Sequence, residues 1–137
     1  MNFEKSGLNY LARFAARIRP TNDINAKDGN GNTVLYMAVY HSDQDTIKML
    51  LSFPETLVNE ENIYGNNPLL WAVEKGQGTI IELLLTHPKI DVMARTQWEK
   101  TLTRGKRAIK RTKNPIIIDM IKKKMREQTR LTSFFGF

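Results

Sequence analysis

The chain repeats itself at an interval of 34 residues, and that property restricts its fold more than any other. Shifted by 34, Ile24-Asn25 falls on Val58-Asn59, Asp28 on Asn62, Gly31 on Gly65, Leu35 on Leu69 and Ala38 on Ala72. The same shift lays Ile47 on Ile81, Leu50-Leu51 on Leu84-Leu85 and Pro54 on Pro88, without a gap. A period of this length marks an array in which no unit can bury its apolar face alone and each covers its neighbour.

Each unit opens on a turn. Asp28-Gly29-Asn30-Gly31-Asn32-Thr33 and Asn62-Ile63-Tyr64-Gly65-Asn66-Asn67-Pro68 place a glycine where a tight hairpin needs positive φ. Thr33 or Asn67 then supplies a side-chain oxygen for the first helical amides, and Pro68 takes the first helical position, where its missing donor costs nothing. Ala38 and Ala72 sit inside the short helix that follows and let a second helix, ending in Met49-Leu50-Leu51 or Leu83-Leu84-Leu85, approach closely. The unit is a turn and two antiparallel helices.

These features resemble the ankyrin repeat, D-x-x-G-x-T-P-L-H-x-A followed by a Leu-Leu pair, over residues 28–61 and 62–95. The resemblance implies an all-α solenoid of stacked helix-turn-helix units joined by hairpin-like turns. Val34 stands for the motif's Pro, Asn67 for its Thr, and Tyr36 and Leu70 for its His, so a weakened turn network is expected. Phe53-Pro54 and His87-Pro88 replace the usual Gly-Ala, so those loops should depart from the consensus. A third unit survives in part from Val92, with two extra residues: Ala108 falls 36 after Ala72, Ile117 on Ile81, and Met120-Ile121 on Leu84-Leu85. Pro115 can start its second helix. Lys106 and Arg107, where Leu70 and Trp71 stand one unit earlier, turn its outer face to solvent, as a capping repeat requires. The expected layout is an N-terminal capping helix over 1–22, repeats over 23–61 and 62–95, a degenerate capping repeat over 96–127 and a separate tail over 128–137.

Residues 1–22 carry Leu8, Leu11, Phe14, Ala15 and Ile18 at helical spacing among Lys5, Arg13, Arg17 and Arg19. A mitochondrial leader has this look too, but a helix covering the open end of the array is the preferred reading. With no cysteine in 137 residues, thiolate chemistry, cysteine-ligated zinc and disulfides are excluded and a reducing compartment fits. No apolar run approaches the roughly 20 residues of a membrane span.

Charge divides the chain sharply, with a net −3 over residues 1–93 and +10 over residues 94–137. Such an imbalance points the C-terminal half at an acidic partner, a nucleic acid or an import receptor. Among its thirteen basic residues, Lys106, Arg107, Lys110, Arg111, Lys122, Lys123, Lys124 and Arg126 make up the candidate basic patch. Lys110-Arg111 and Lys122-Lys123-Lys124-Met125-Arg126 have the form of a bipartite nuclear-localisation signal. If residues 115–127 are helical, as the stripe Ile117, Met120, Ile121 and Met125 suggests, these cations are a solvated face. Without a base-reading motif, any contact with nucleic acid would be non-specific.

The tail leaves the repeat pattern. Gln128, Leu131, Phe134 and Phe135 form the string Q-x-x-L-x-x-F-F, which resembles the PIP box, the peptide that binds the sliding clamp PCNA. The resemblance implies that Leu131, Phe134 and Phe135 form an apolar plug on a 3₁₀ turn, where residues three apart eclipse, while Gln128 enters a polar pocket. The tail would then be free or loosely docked in the unbound protein. In the competing reading, Phe134, Phe135 and Phe137 fold back and close the repeat array.

Ankyrin proteins bind partners through hairpin tips and the exposed side of the first helices. Carried over position by position, that face comprises Asn30, Asn32, Tyr40, His41, Tyr64, Asn66, Glu74, Lys75, Trp98 and Lys100. Trp71 reads as core. Catalysis finds no support: His41 and His87 lie 46 residues apart with no nucleophile motif, and Asp43, Asp45, Glu60 and Glu61 sit in turns without organised partners. The expected protein is a non-enzymatic, monomeric adaptor without cofactor or metal, nuclear if the clamp reading holds and cytoplasmic otherwise. The alternative is a plain interaction module whose tail is a cap and whose basic half meets nucleic acid or an acidic partner.

Overall fold

Three short helices each begin on a polar side chain that caps them. Thr33 accepts from the Tyr36 amide (3.1 Å) at the start of α1 (Val34–Tyr40), and Thr103 accepts from the Lys106 amide (3.3 Å) at the start of α5 (Arg104–Ile109). Before α3 (Pro68–Glu74), Asn67 Oδ1 accepts from the Leu70 amide at 2.8 Å. Asn67 thus caps its helix as Thr33 and Thr103 cap theirs, so this replacement does not cost the turn its cap. Both side chains offer an oxygen to the orphan amides of the first turn.

The computed structural model describes residues 24–95 and 102–134, with side chains as far as Leu131. The expected capping helix over 1–22, together with Trp98, Lys100, Phe135, Phe137 and the Phe134 ring, lies outside the described side chains. Among the described residues the fold is all-α, its only β pairing being two isolated bridges, Lys27 with Thr33 and Arg95 with Thr103, each just ahead of a first helix. The second helices are α2 (Gln44–Leu51), α4 (Gly78–Thr86) and the long α6 (Pro115–Phe134). Asp43 caps α2, taking the Thr46 amide at 3.2 Å and the Thr46 hydroxyl at 2.6 Å.

Two compact units divide within α3, after Trp71. In the first, α1 packs on α2 around Leu35, Ala38, Val39, Ile47 and Leu50, all buried. In the second, α6 packs on both α4 and α5, and Ile81, Leu84, Val92, Ala108, Ile117 and Ile121 are buried. The alanines do what the repeat demands: Ala38, Ala72 and Ala108 are at most 1% exposed.

The loops after α2 and α4 show how the chain dispenses with the usual Gly-Ala ending. Thr56 donates its hydroxyl to the Leu50 carbonyl at 2.6 Å, and the Asn25 amide bridges the same loop, donating to Glu55 O and accepting from Leu57 N, both at 2.8 Å. One unit later the Gln128 amide performs the same double closure, donating to Ile90 O (2.6 Å) and accepting from Val92 N (2.9 Å). Backbone groups in both loops are thereby satisfied by a side-chain amide distant in sequence. His87 is buried, and its Nδ1 accepts from the Lys89 amide at 3.1 Å.

Burial first, and the Lys89 charge second, push the His87 imidazole below its ordinary 6.5. The unfolded chain takes up this proton near the ordinary value and the folded chain does not, so the contribution to stability is complete above 6.5 and declines as pH falls below it. The denaturant midpoint should drop across that window, and a His87→Gln variant should lose that part of the slope.

Candidate protein-interaction surfaces

The first surface is built on two hairpins that share one design. Asp28 Oδ1 accepts from the amides of Asn30 (2.9 Å) and Asn32 (3.0 Å), while Asn62 Oδ1 accepts from those of Tyr64 (2.9 Å) and Asn66 (3.0 Å). The chain reverses at Gly31 and Gly65, both at φ 76°. Gly31 is required twice over, because a Cβ there would also lie 3.2 Å from the Ile63 amide nitrogen. That amide donates to Asn30 O at 3.0 Å and couples one hairpin to the next. Asn32 completes the coupling: its amide nitrogen donates to Asp28 Oδ2 (3.2 Å) and its oxygen accepts from Asn62 Nδ2 (2.9 Å). Lys27 and Glu60 add an ion pair at 2.7 Å.

This network gives one residue of the expected binding face a structural role. Asn32 is half-buried with both ends of its amide engaged, so it holds the hairpins and is not a free contact residue. Asn66 is half-buried as well. What the hairpins present are Asn30, Ile63 and Tyr64, the last 67% exposed. At the end of α1, Tyr40 is 48% exposed and stacked on Trp71, with centroids 4.7 Å apart, and the exposed His41 meets its edge at 5.1 Å. Trp71 is therefore half-buried and part of an aromatic cluster, where the sequence suggested core. Rings already fixed by stacking lose little freedom when a partner covers them. In the second unit Glu74 and Lys75 are both exposed, and Glu74 accepts from Arg111 at 3.3 Å.

The tail is where the structure departs furthest from the sequence expectation. Helix α6 continues through Gln128, Leu131 and Phe134, so in the free chain an α-helix occupies a segment expected to be free or loosely docked and to take up a 3₁₀ turn on binding a clamp. Gln128, expected to fill a clamp pocket, is held by Ile90 and Val92 of its own chain. Leu131 is 57% exposed.

Helix formation also sorts the cations. Lys106, Lys110 and Arg111 are exposed on and after α5, and Arg107 is half-buried. On α6 the second cluster of the string that has the form of a bipartite signal, Lys122 to Arg126, is helical and not extended. Lys123 and Lys124 border a groove shared with Glu82 and Glu127, and Lys124 pairs with Glu127 at 3.8 Å. Lys122 and Arg126 border another groove together with Arg130, Met93, Met125 and Thr129. Arg130, Met93 and Thr129 escaped the sequence reading, which ended the helix at residue 127. The spacing 122, 126 and 130 places Arg130 in line with Lys122 and Arg126 once the helix runs past residue 127.

Four of the polar groups weighed for catalysis have structural work. Asp43 caps a helix, Glu60 pairs with Lys27, His87 closes a loop and His41 packs on Tyr40. Among the described residues no three His, Cys, Asp or Glu side chains cluster as metal ligands, and no described helix is long and apolar enough to cross a membrane. A family model described as ankyrin repeats, three copies, matches residues 5–96.

Proposed function

The chain belongs to the ankyrin-repeat family, whose members are generally non-enzymatic modules for protein-protein interaction, and from that premise we propose that it holds a client on the face formed by its hairpin tips and the end of α1. The observation that carries this reading is Tyr40, which stacks on Trp71 at 4.7 Å yet stays 48% exposed. Tyr64 and Asn30 on the braced tips, with His41, complete the contact set. A photo-crosslinking residue placed at Tyr40 or Tyr64 should give client adducts that the same residue at exposed Lys113 does not. Tyr64→Ala should weaken the captured client more than about fivefold, a loss of about 1 kcal/mol, without moving the melting temperature. Equal labelling at all three positions overturns the proposal.

A finer reading tethers the protein to the sliding clamp PCNA. Its support is the Q-x-x-L-x-x-F-F string and the exposure of Leu131. Binding in the manner of that motif would require Gln128 to leave Ile90 and Val92 and the end of α6 to unwind, so any affinity is reduced by the free energy of those contacts. Calorimetric titration of PCNA decides it: micromolar binding lost in Leu131→Ala supports the tether, and no heat from the parent chain ends it. A nuclear location follows from the tether and a cytoplasmic one is compatible with the plain module.

A further inference from the structure

We propose that the groove beside α6, lined by Met93, Lys122, Met125, Arg126, Thr129 and Arg130, is a second and independent docking site, and that its occupant is an acidic amphipathic helix of a partner protein. The groove is open and about 620 Å³ in volume. Lys122, Arg126 and Arg130 stand on one edge at successive helical turns, about 6 Å apart along the axis. None of the three makes an ion pair among the described residues, whereas Lys124 and Arg111 both do. Like charges one turn apart destabilise a helix, so this stripe is unfavourable in the free chain and an anionic partner relieves it.

The floor selects the kind of anion. Met93 and Met125 are half-buried thioethers, and the Thr129 hydroxyl is turned back onto the Met125 carbonyl at 2.9 Å. The floor is thus apolar and adaptable, as methionine surfaces are. A phosphate backbone would satisfy the cations and leave that floor empty. A helix with carboxylates at i, i+4 and i+8 and leucines at i+3 and i+7 mirrors the arrangement on α6, one charged stripe beside one apolar stripe. This site is separate from the face proposed above and stands or falls without it.

The test uses the full chain and a synthetic helical peptide with Glu at i, i+4 and i+8 and Leu at i+3 and i+7. Saturable binding is expected, with the methyl resonances of Met93 and Met125 moving on titration. Arg126→Glu, at an exposed position where relief of the like-charge stripe should keep the melt at or above that of the parent, should weaken binding about tenfold, as should replacing the peptide leucines with Ser. Unmoved methionine methyls, an affinity indifferent to Arg126→Glu, or tighter binding of a single-stranded oligonucleotide that ignores the methionines would overturn the proposal.

Discussion

Leu84→Ala is expected to cost on the order of 2–5 kcal/mol, measured as the fall in unfolding free energy from denaturant titration. Leu84 is 0% exposed, in the helix where Ile80, Ile81 and Leu85 are also buried and which packs against α6. Removing its branched end leaves a cavity that the packed helices cannot close, so the loss combines transfer free energy with the contacts the cavity walls forfeit. Position matters more than residue type here. Leu83, one place earlier in the same helix, is only half-buried, and Leu83→Ala should cost distinctly less. An array this short has few interfaces over which to spread such a loss, so the variant should melt well below the parent. Equal effects at the two leucines would mean that the 34-residue register assigns the wrong face to the core.

That register was legible because it rests on residues whose geometry has no substitute. Gly31 and Gly65 take a positive φ, Ala38 and Ala72 admit a neighbouring helix, and Asp28 and Asn62 hold equivalent pairs of amides although one is charged and the other is not. Asn67 serves where the motif has Thr because a cap needs only an oxygen at the right reach, whatever residue name the motif records. The candidate face was partly legible: exposure of Tyr40 and Tyr64 follows from their place in the unit, but the hydrogen bonds that engage Asn32 span two hairpins and leave no trace in either alone. The tail misled for a different reason. Positions 128, 131, 134 and 135 are separated by three, three and one, a spacing that also fits one stripe of an α-helix. Between Pro115 and Gly136 the sequence holds no helix breaker, so the end of α6 could have been carried through the motif. Gln128 then closes the loop that Asn25 closes one unit earlier, a parallel visible only once both loops are in view.

Gly105 yields the second large effect, and it tests how a degenerate repeat keeps its core. By the repeat alignment it stands where Leu35 and Leu69 stand, both buried, so the third unit lacks a core leucine. Met125 supplies the missing volume from α6: a Cβ on Gly105 would come 2.7 Å from its Sδ and 2.8 Å from its Cγ. The thioether can swing away, but the same Cβ lies 3.0 Å from the Val92 carbonyl oxygen, which is fixed because it accepts from the Gly105 amide at 2.7 Å. Gly105→Ala should therefore destabilise the protein by about 1–3 kcal/mol, against the roughly 1 kcal/mol gain that alanine ordinarily brings to a helix interior. Restoring the repeat with Gly105→Leu should be worse in the parent and milder in a Met125→Ala background, where the leucine enters the space the methionine has left. The two changes should show a favourable coupling of about 0.5–3 kcal/mol in a double-mutant cycle followed by denaturant unfolding. Recovery should stay incomplete, because the contact with the Val92 carbonyl remains whichever side chain fills the core. If Gly105→Ala instead raises stability, the helix has room at this position, and Met125 is not the residue that stands in for the lost leucine.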